Sequence, residues 1–186
     1  MITIIVVSIL LILYVWYMTI IKRKNQYMEA LSGVDVQLTK RHDLIPNVLK
    51  IAKKFMEHEK SLITEVTALR SKTPHNYQHN DTKEVSEYFK MSNEMASKMA
   101  DLFIQVENYP DLKSNESMLQ AQLTYNEVEG HISAARRFYN ASTTELNNSI
   151  QIFPGNIIAK LTNAKVMPFY QADKAHKKVI DANTIL

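Results

Sequence analysis

The sequence predicts an all-α protein, an N-terminal transmembrane helix followed by an antiparallel bundle of long helices, on three observations. Gly and Pro, which punctuate turns and strands, occur 3 and 5 times in 186 residues. An uncharged apolar run opens the chain. Beyond it, apolar residues recur at alternating spacings of three and four, the pattern of helices that each bury one face.

The opening run, Ile2 to Ile21, reads ITIIVVSILLILYVWYMTII. About 20 residues at ~1.5 Å each match the ~30 Å hydrocarbon core of a bilayer. Tyr14, Trp16 and Tyr17 sit near its C-terminal end, where aromatic rings favour the membrane interface, and Lys22, Arg23 and Lys24 follow at once. A cleaved signal peptide would carry a basic n-region, a shorter apolar core and a small-x-small cleavage site. None of these is present, so the run reads as an uncleaved anchor. Basic flanks stay in the cytoplasm, which places the N-terminus outside and the main domain inside. The basic cluster Lys22, Arg23 and Lys24 also suits anionic lipid.

The expected organisation is an anchor over 1–24, a helical bundle over 25–172 and a mobile tail over 173–186. In the bundle, a first seam comprises Tyr27, Leu31, Val34, Leu38, Arg41, Ile45, Val48, Ala52, Phe55, Glu59, Leu62, Val66 and Leu69. Pro46 interrupts it, and Asp43 as an N-cap would put Pro46 in a first turn, so a bend or a short break with the same buried face is expected there. A polar loop, SKTPHNYQHNDT, follows from Ser71. The second helix runs from about Thr82 to Asn108 on the seam Val85, Tyr88, Ser92, Met95, Met99, Leu102, Val106 and Tyr109, and Pro110 stops it. Ser114 or Asn115 caps the third, whose seam runs from Met118 through Tyr125, Ile132 and Tyr139 to Leu146, ending near Phe153. The segment NIIAKLTNAKVMPFYQA is apolar enough to pack back on the bundle or to lie at an interface.

Three strings then resemble a known family: VDVQLTKRHDLIPNVLKIAKKFMEHEKSLITEVTALRS, VENYPDLKSNESMLQAQLTYNEVEGHISAARRFYNAS and FPGNIIA. Together they resemble the LemA family of bacterial membrane proteins over roughly Tyr27 to Ala172, with RHDLIPN, YPDLK and AARRFYN in the family's order and spacing. The resemblance implies a membrane-anchored antiparallel bundle with a short exterior N-terminus and a cytoplasmic domain. It implies no reaction. Gene neighbourhoods in the family, near membrane proteases and other envelope proteins, hint at envelope maintenance. Gly130 departs from the family, which tends to place a helix former there.

Candidate chemistry is sparse. His75 and His79 are four apart, as zinc ligands can be, but lie in the polar loop without a third ligand, so a solvated loop is the simpler reading. His58-Glu59 begins an HExxH string that Leu62 ends. Three separated glycines build no phosphate loop, and Cys is absent. Met91, Met95, Met99 and Met118 could form a peptide groove but fit core filler better. No catalytic residue, metal or cofactor is expected. The mild net charge of +3, spread among acidic residues, argues against a nucleic-acid partner.

The polar residues on buried faces are more informative. Arg41 and Glu59 occupy seam positions, and Glu129 and Arg136 lie seven apart beside the third seam. With the first segment rising from the membrane, the second helix descending and the third rising again, Arg136 would hold Glu59 and Glu129, with Arg41 below. Such a charge cluster would fix helix register. The expected role is a structural scaffold at the inner membrane that self-associates through its span and its long helices into a homo-oligomer. The alternative is a binding module that recruits a membrane protease or another envelope protein.

Overall fold

The structure, a computed structural model, describes residues 1–171 apart from Glu57 and His75. His75 and the tail over 173–186 therefore lie outside the described residues. Among the described residues every regular element is helical: α1 (Ile2–Ala52), α2 (Lys60–Lys72), α3 (Thr82–Val106), α4 (Pro110–Lys113), α5 (Glu116–Gln151) and α6 (Gly155–Thr162).

α1 joins the apolar N-terminal run to the bundle without interruption. Its first 19 residues are mostly exposed, and burial begins at Ile20. Among the described residues this is the one helix long and apolar enough to cross a membrane. From Tyr27 to Ala52 its buried positions follow the seam read from the sequence, Arg41 included.

The helix passes Pro46 without a break, and Asp43 is an exposed mid-helix residue rather than a cap. Pro46 has no N–H to offer the His42 carbonyl one turn back. The α2 residue Arg70 donates its Nε to that oxygen at 3.3 Å, while His42 Nε2 lies 3.3 Å from the Arg70 carbonyl. The end of α2 is thereby docked where the proline weakens the ladder of α1.

The break falls instead after Ala52. The chain turns over residues 53–59, and Met56, 1 % exposed, closes the far end of the core. α2 therefore runs back toward the apolar N-terminal run, and the loop after it continues that descent beside Asp35 and Tyr27. α3 rises again, capped by Asp81, whose side chain accepts from the Lys83 and Glu84 amides. Asn115 caps α5 by accepting from the Met118 amide at 3.1 Å. α5 then descends along the bundle part of α1, as the Arg41–Glu129 and Arg23–Glu145 pairs mark. The third and fourth passes thus run opposite to the expected directions, because the first segment is folded in two.

Two apolar clusters fill the bundle. The one nearer the apolar run holds Tyr27, Leu31, Leu38, Phe89, Ile132 and Tyr139, and the distal one holds Ile45, Met56, Met95, Met99, Leu102, Met118 and Tyr125. Met99 and Met118 are thus core residues rather than the lining of a groove, and Met95, also buried, borders a cavity beside Arg41. α6 and the extended residues 163–171 turn back along α5, so the apolar C-terminal segment packs on the bundle for much of its length.

Candidate functional site

A polar layer separates the two apolar clusters, and Arg41 is its centre. The layer falls between Leu38 and Ile45 on α1, between Phe89 and Met95 on α3, and between Tyr125 and Ile132 on α5. Arg41 is 4 % exposed. Its Nη2 donates to the Ser92 carbonyl at 2.7 Å and to Ser92 Oγ at 2.6 Å, and its Nη1 lies 3.1 Å from Glu129 Oε1. A buried guanidinium is tolerated only when its fork is partnered, and here three acceptor atoms from two other helices partner it. The Glu129 side chain keeps about a third of its surface in water. Tyr125 sits one turn above Glu129; burial and that carboxylate both raise its hydroxyl well above the ordinary tyrosine range, while Arg41 opposes them.

The layer extends to the C-terminal strap. Ser92 Oγ is 2.8 Å from the Tyr170 hydroxyl, which burial raises, and the Tyr170 ring stacks on Phe89 at 4.1 Å. Two α5 asparagines clamp the strap backbone. Asn140 donates to the Tyr170 carbonyl at 3.0 Å and accepts from its amide at 2.9 Å; Asn147 does the same for Met167, both at 2.9 Å. Seven helical residues rise ~10.5 Å, and three extended residues span ~10 Å, so the two clamps share one spacing. Tyr139 also donates to the Pro168 carbonyl at 2.7 Å.

Beside the layer, a cavity of about 390 Å³ opens between α1, α3 and the loop after α2. Asp35 lines it, accepting from the Tyr77 hydroxyl at 2.8 Å and lying 3.2 Å from His79 Nε2. Tyr77 stacks on Tyr88 at 4.3 Å. Burial raises the Asp35 carboxyl, outweighing Tyr77 and His79, which lower it. His79 is thus half-buried and paired, not a residue of a solvated loop.

The expected four-residue cluster is corrected. Arg41 and Glu129 meet; Glu59 and Arg136 do not join them. Glu59 immediately precedes α2 as its N-cap residue, where the turn after Ala52 has taken it off the seam. Arg136 lies nearer the apolar run than Glu129 because α5 descends, and its guanidinium sits 4.3 Å over the Tyr170 ring, a cation–π contact. The basic cluster also divides. Lys22 and Lys24 are exposed, whereas Arg23 turns to Glu145 at 2.9 Å and to Gln26 at 3.0 Å. Ser92 already stood on the second seam, so its pairing with Arg41 had a signal in the sequence. Asn140 and Asn147, one heptad apart, also left one that seam-reading overlooks.

The strings that carry the family resemblance supply much of this geometry. RHDLIPN contains Arg41 and Pro46, AARRFYN contains Arg136, Tyr139 and Asn140, and FPGNIIA forms the turn into α6. A protein named LemA from Metamycoplasma hominis is 24% identical over 178 residues, 92% of this chain and 79% of that relative. The family model described as the LemA family matches residues 30–183, most of the chain, and the chain therefore belongs to the LemA family.

Proposed function

We propose that this protein is a non-catalytic scaffold of the bacterial inner membrane, anchored by residues 2–21 with its N-terminus outside and its bundle in the cytoplasm, and that copies associate through their spans and long helices. The observation that carries this reading is the outward face of α5. Leu119, Leu123 and Phe138 are 44, 64 and 58 % exposed there. At 3.6 residues per turn they fall within about a third of the helix circumference. Gly130 lies on the same side, and a Cβ built on it meets nothing within 4 Å. Exposed apolar residues on either side of a residue without a side chain, with Asn126, Glu127 and Arg137 between them, suit the approach of a second helix through a mixed face. The polar layer supports the same role from inside. It holds the long helices in one register, so that each copy presents the same face.

Sizing of the full-length protein in mild detergent tests this. A discrete particle several times the mass of one chain is expected, and Leu119→Asp with Leu123→Asp should reduce it. A strictly monomeric parent at high concentration would remove the basis for a scaffold and favour partner recruitment. Orientation is checked separately with a tag after Leu186, which should be protected from surface reagents in intact cells.

A further inference from the structure

We infer that the turn from α5 into α6, together with the outer face of α6, is a second membrane-contacting element that enters the cytoplasmic leaflet beside the span. This rests on reading residues 2–21 as a span. It assigns lipid contact to a surface more than a hundred residues away in sequence.

Depth is the first argument. Gly155 is seated against the chain's lone tryptophan: a Cβ built on it would stand 3.5 Å from the Trp16 ring. Trp16 lies six residues inward of Lys22, about 9 Å along the helix. Ile20, in between, is 1 % exposed. If Lys22 and Lys24 mark the headgroups, the α5–α6 turn lies below them, at the depth where interfacial helices bury their apolar faces.

The second argument is composition at that depth. Between Glu145 and Lys165 the only charged residue is Lys160, which is exposed and long enough to reach the headgroups. α6 buries Gly155, Ile158 and Ala159 toward the bundle. Its other side carries Asn156, Lys160 and Thr162 in the open, yet large apolar residues stand among them. Phe153, Ile157 and Leu161, four apart, are 71, 49 and 84 % exposed, and Ile152 is 54 % exposed. A turn and helix that leave four large apolar side chains in the open are explained in water by a covering partner, and in a membrane by lipid, with the interleaved polar groups of Asn156, Lys160 and Thr162 reaching the headgroups. Continuity with the exposed apolar surface of residues 2–19 selects lipid: the two surfaces adjoin at Trp16.

The chain has no cysteine, so single cysteines label uniquely. Phe153→Cys, Leu161→Cys, Leu10→Cys and Ser117→Cys would each carry a nitroxide on the full-length protein in vesicles of phosphatidylethanolamine and phosphatidylglycerol. Collision with oxygen, which enters lipid, is compared with collision with a water-soluble nickel chelate. The expected result groups positions 153 and 161 with position 10 in lipid, and leaves position 117 in water. Labels at 153 and 161 open to nickel while position 10 stays in lipid would overturn the inference and leave the span intact. Labels there shielded from both reagents would assign the face to another protein and also overturn it. Nickel access at position 10 would remove the span itself, and the inference with it.

Discussion

Arg70 Nε lies 3.3 Å from the carbonyl oxygen of His42, the acceptor to which Pro46 cannot donate. A helix interior normally loses several kcal/mol to proline through the missing bond and the ring clash. Here a second helix brings a charged donor to the place where the ladder lacks one. The relationship ties the end of α2 to the turn of α1 that Pro46 weakens.

A double-mutant cycle should isolate that relationship. Arg70→Ala is expected to cost about 1 kcal/mol, since it removes one half-exposed charged donor. In a Pro46→Ala background the helix regains its own N–H, and Arg70→Ala should cost distinctly less. Chemical denaturation of the four proteins gives the coupling. Strict additivity would mean that Arg70 does not serve the carbonyl left by Pro46.

Arg41→Ala should be among the most damaging single changes in the bundle. It leaves the Ser92 carbonyl and the Glu129 carboxylate without their donor. The cost is expected at about 3 kcal/mol, the low end for a broken buried pair because Glu129 is partly hydrated. Arg136→Ala removes only a cation–π contact and should cost about 1 kcal/mol. Thermal unfolding of the two variants decides the order. Equal losses would return Arg136 to the structural role it was expected to fill.

Asp35 should make stability depend on pH in a definite direction. Burial raises its carboxyl above the ordinary aspartate value in the folded state. A proton is therefore bound more tightly when folded. The corresponding stability is fully present below the unfolded value of about 3.9 and is lost as pH rises through the raised folded value. As pH falls from about 6 to about 4, the parent should gain stability relative to Asp35→Asn, which cannot titrate. Thermal melts of both proteins across that range check the slope. Parallel curves would show that Asp35 is solvated.

The sequence made the α1 seam legible because helical periodicity and burial are one signal. Tyr27 to Ala52 needed only counting. The turn after Ala52 was hidden for the same reason. Residues 53–59 contain neither Gly nor Pro, and Phe55, Leu62 and Leu69 keep the heptad phase across it. That one hidden turn inverted the direction expected for α3 and α5, and so gave Glu129 the wrong arginine. The strap was hidden for another reason. Its place depends on Asn140 and Asn147 matching the backbone of Tyr170 and Met167. A helical spacing then has to meet an extended one, and no single-element period displays that.

Two glycines should respond oppositely to alanine. Gly130 is helical, exposed and without neighbours within 4 Å of an added Cβ, so Gly130→Ala should stabilise the fold by about 1 kcal/mol through helix propensity alone. Gly155 opens α6, where an added Cβ would collide with the Ser149 carbonyl oxygen. That atom is backbone in the last turn of α5 and cannot rotate aside. Gly155→Ala should therefore shift α6 away from α5 and cost about 1–3 kcal/mol, as overpacking does. It should also disturb the ring of Trp16, which the same Cβ would approach to 3.5 Å. Because the chain contains one tryptophan, its fluorescence reports on this junction alone. Gly130→Ala should raise the melting temperature and leave the emission unchanged, whereas Gly155→Ala should lower the melting temperature and move the emission. If Gly155→Ala melts like the parent with unchanged fluorescence, α6 does not seat against α1 and α5 in this way.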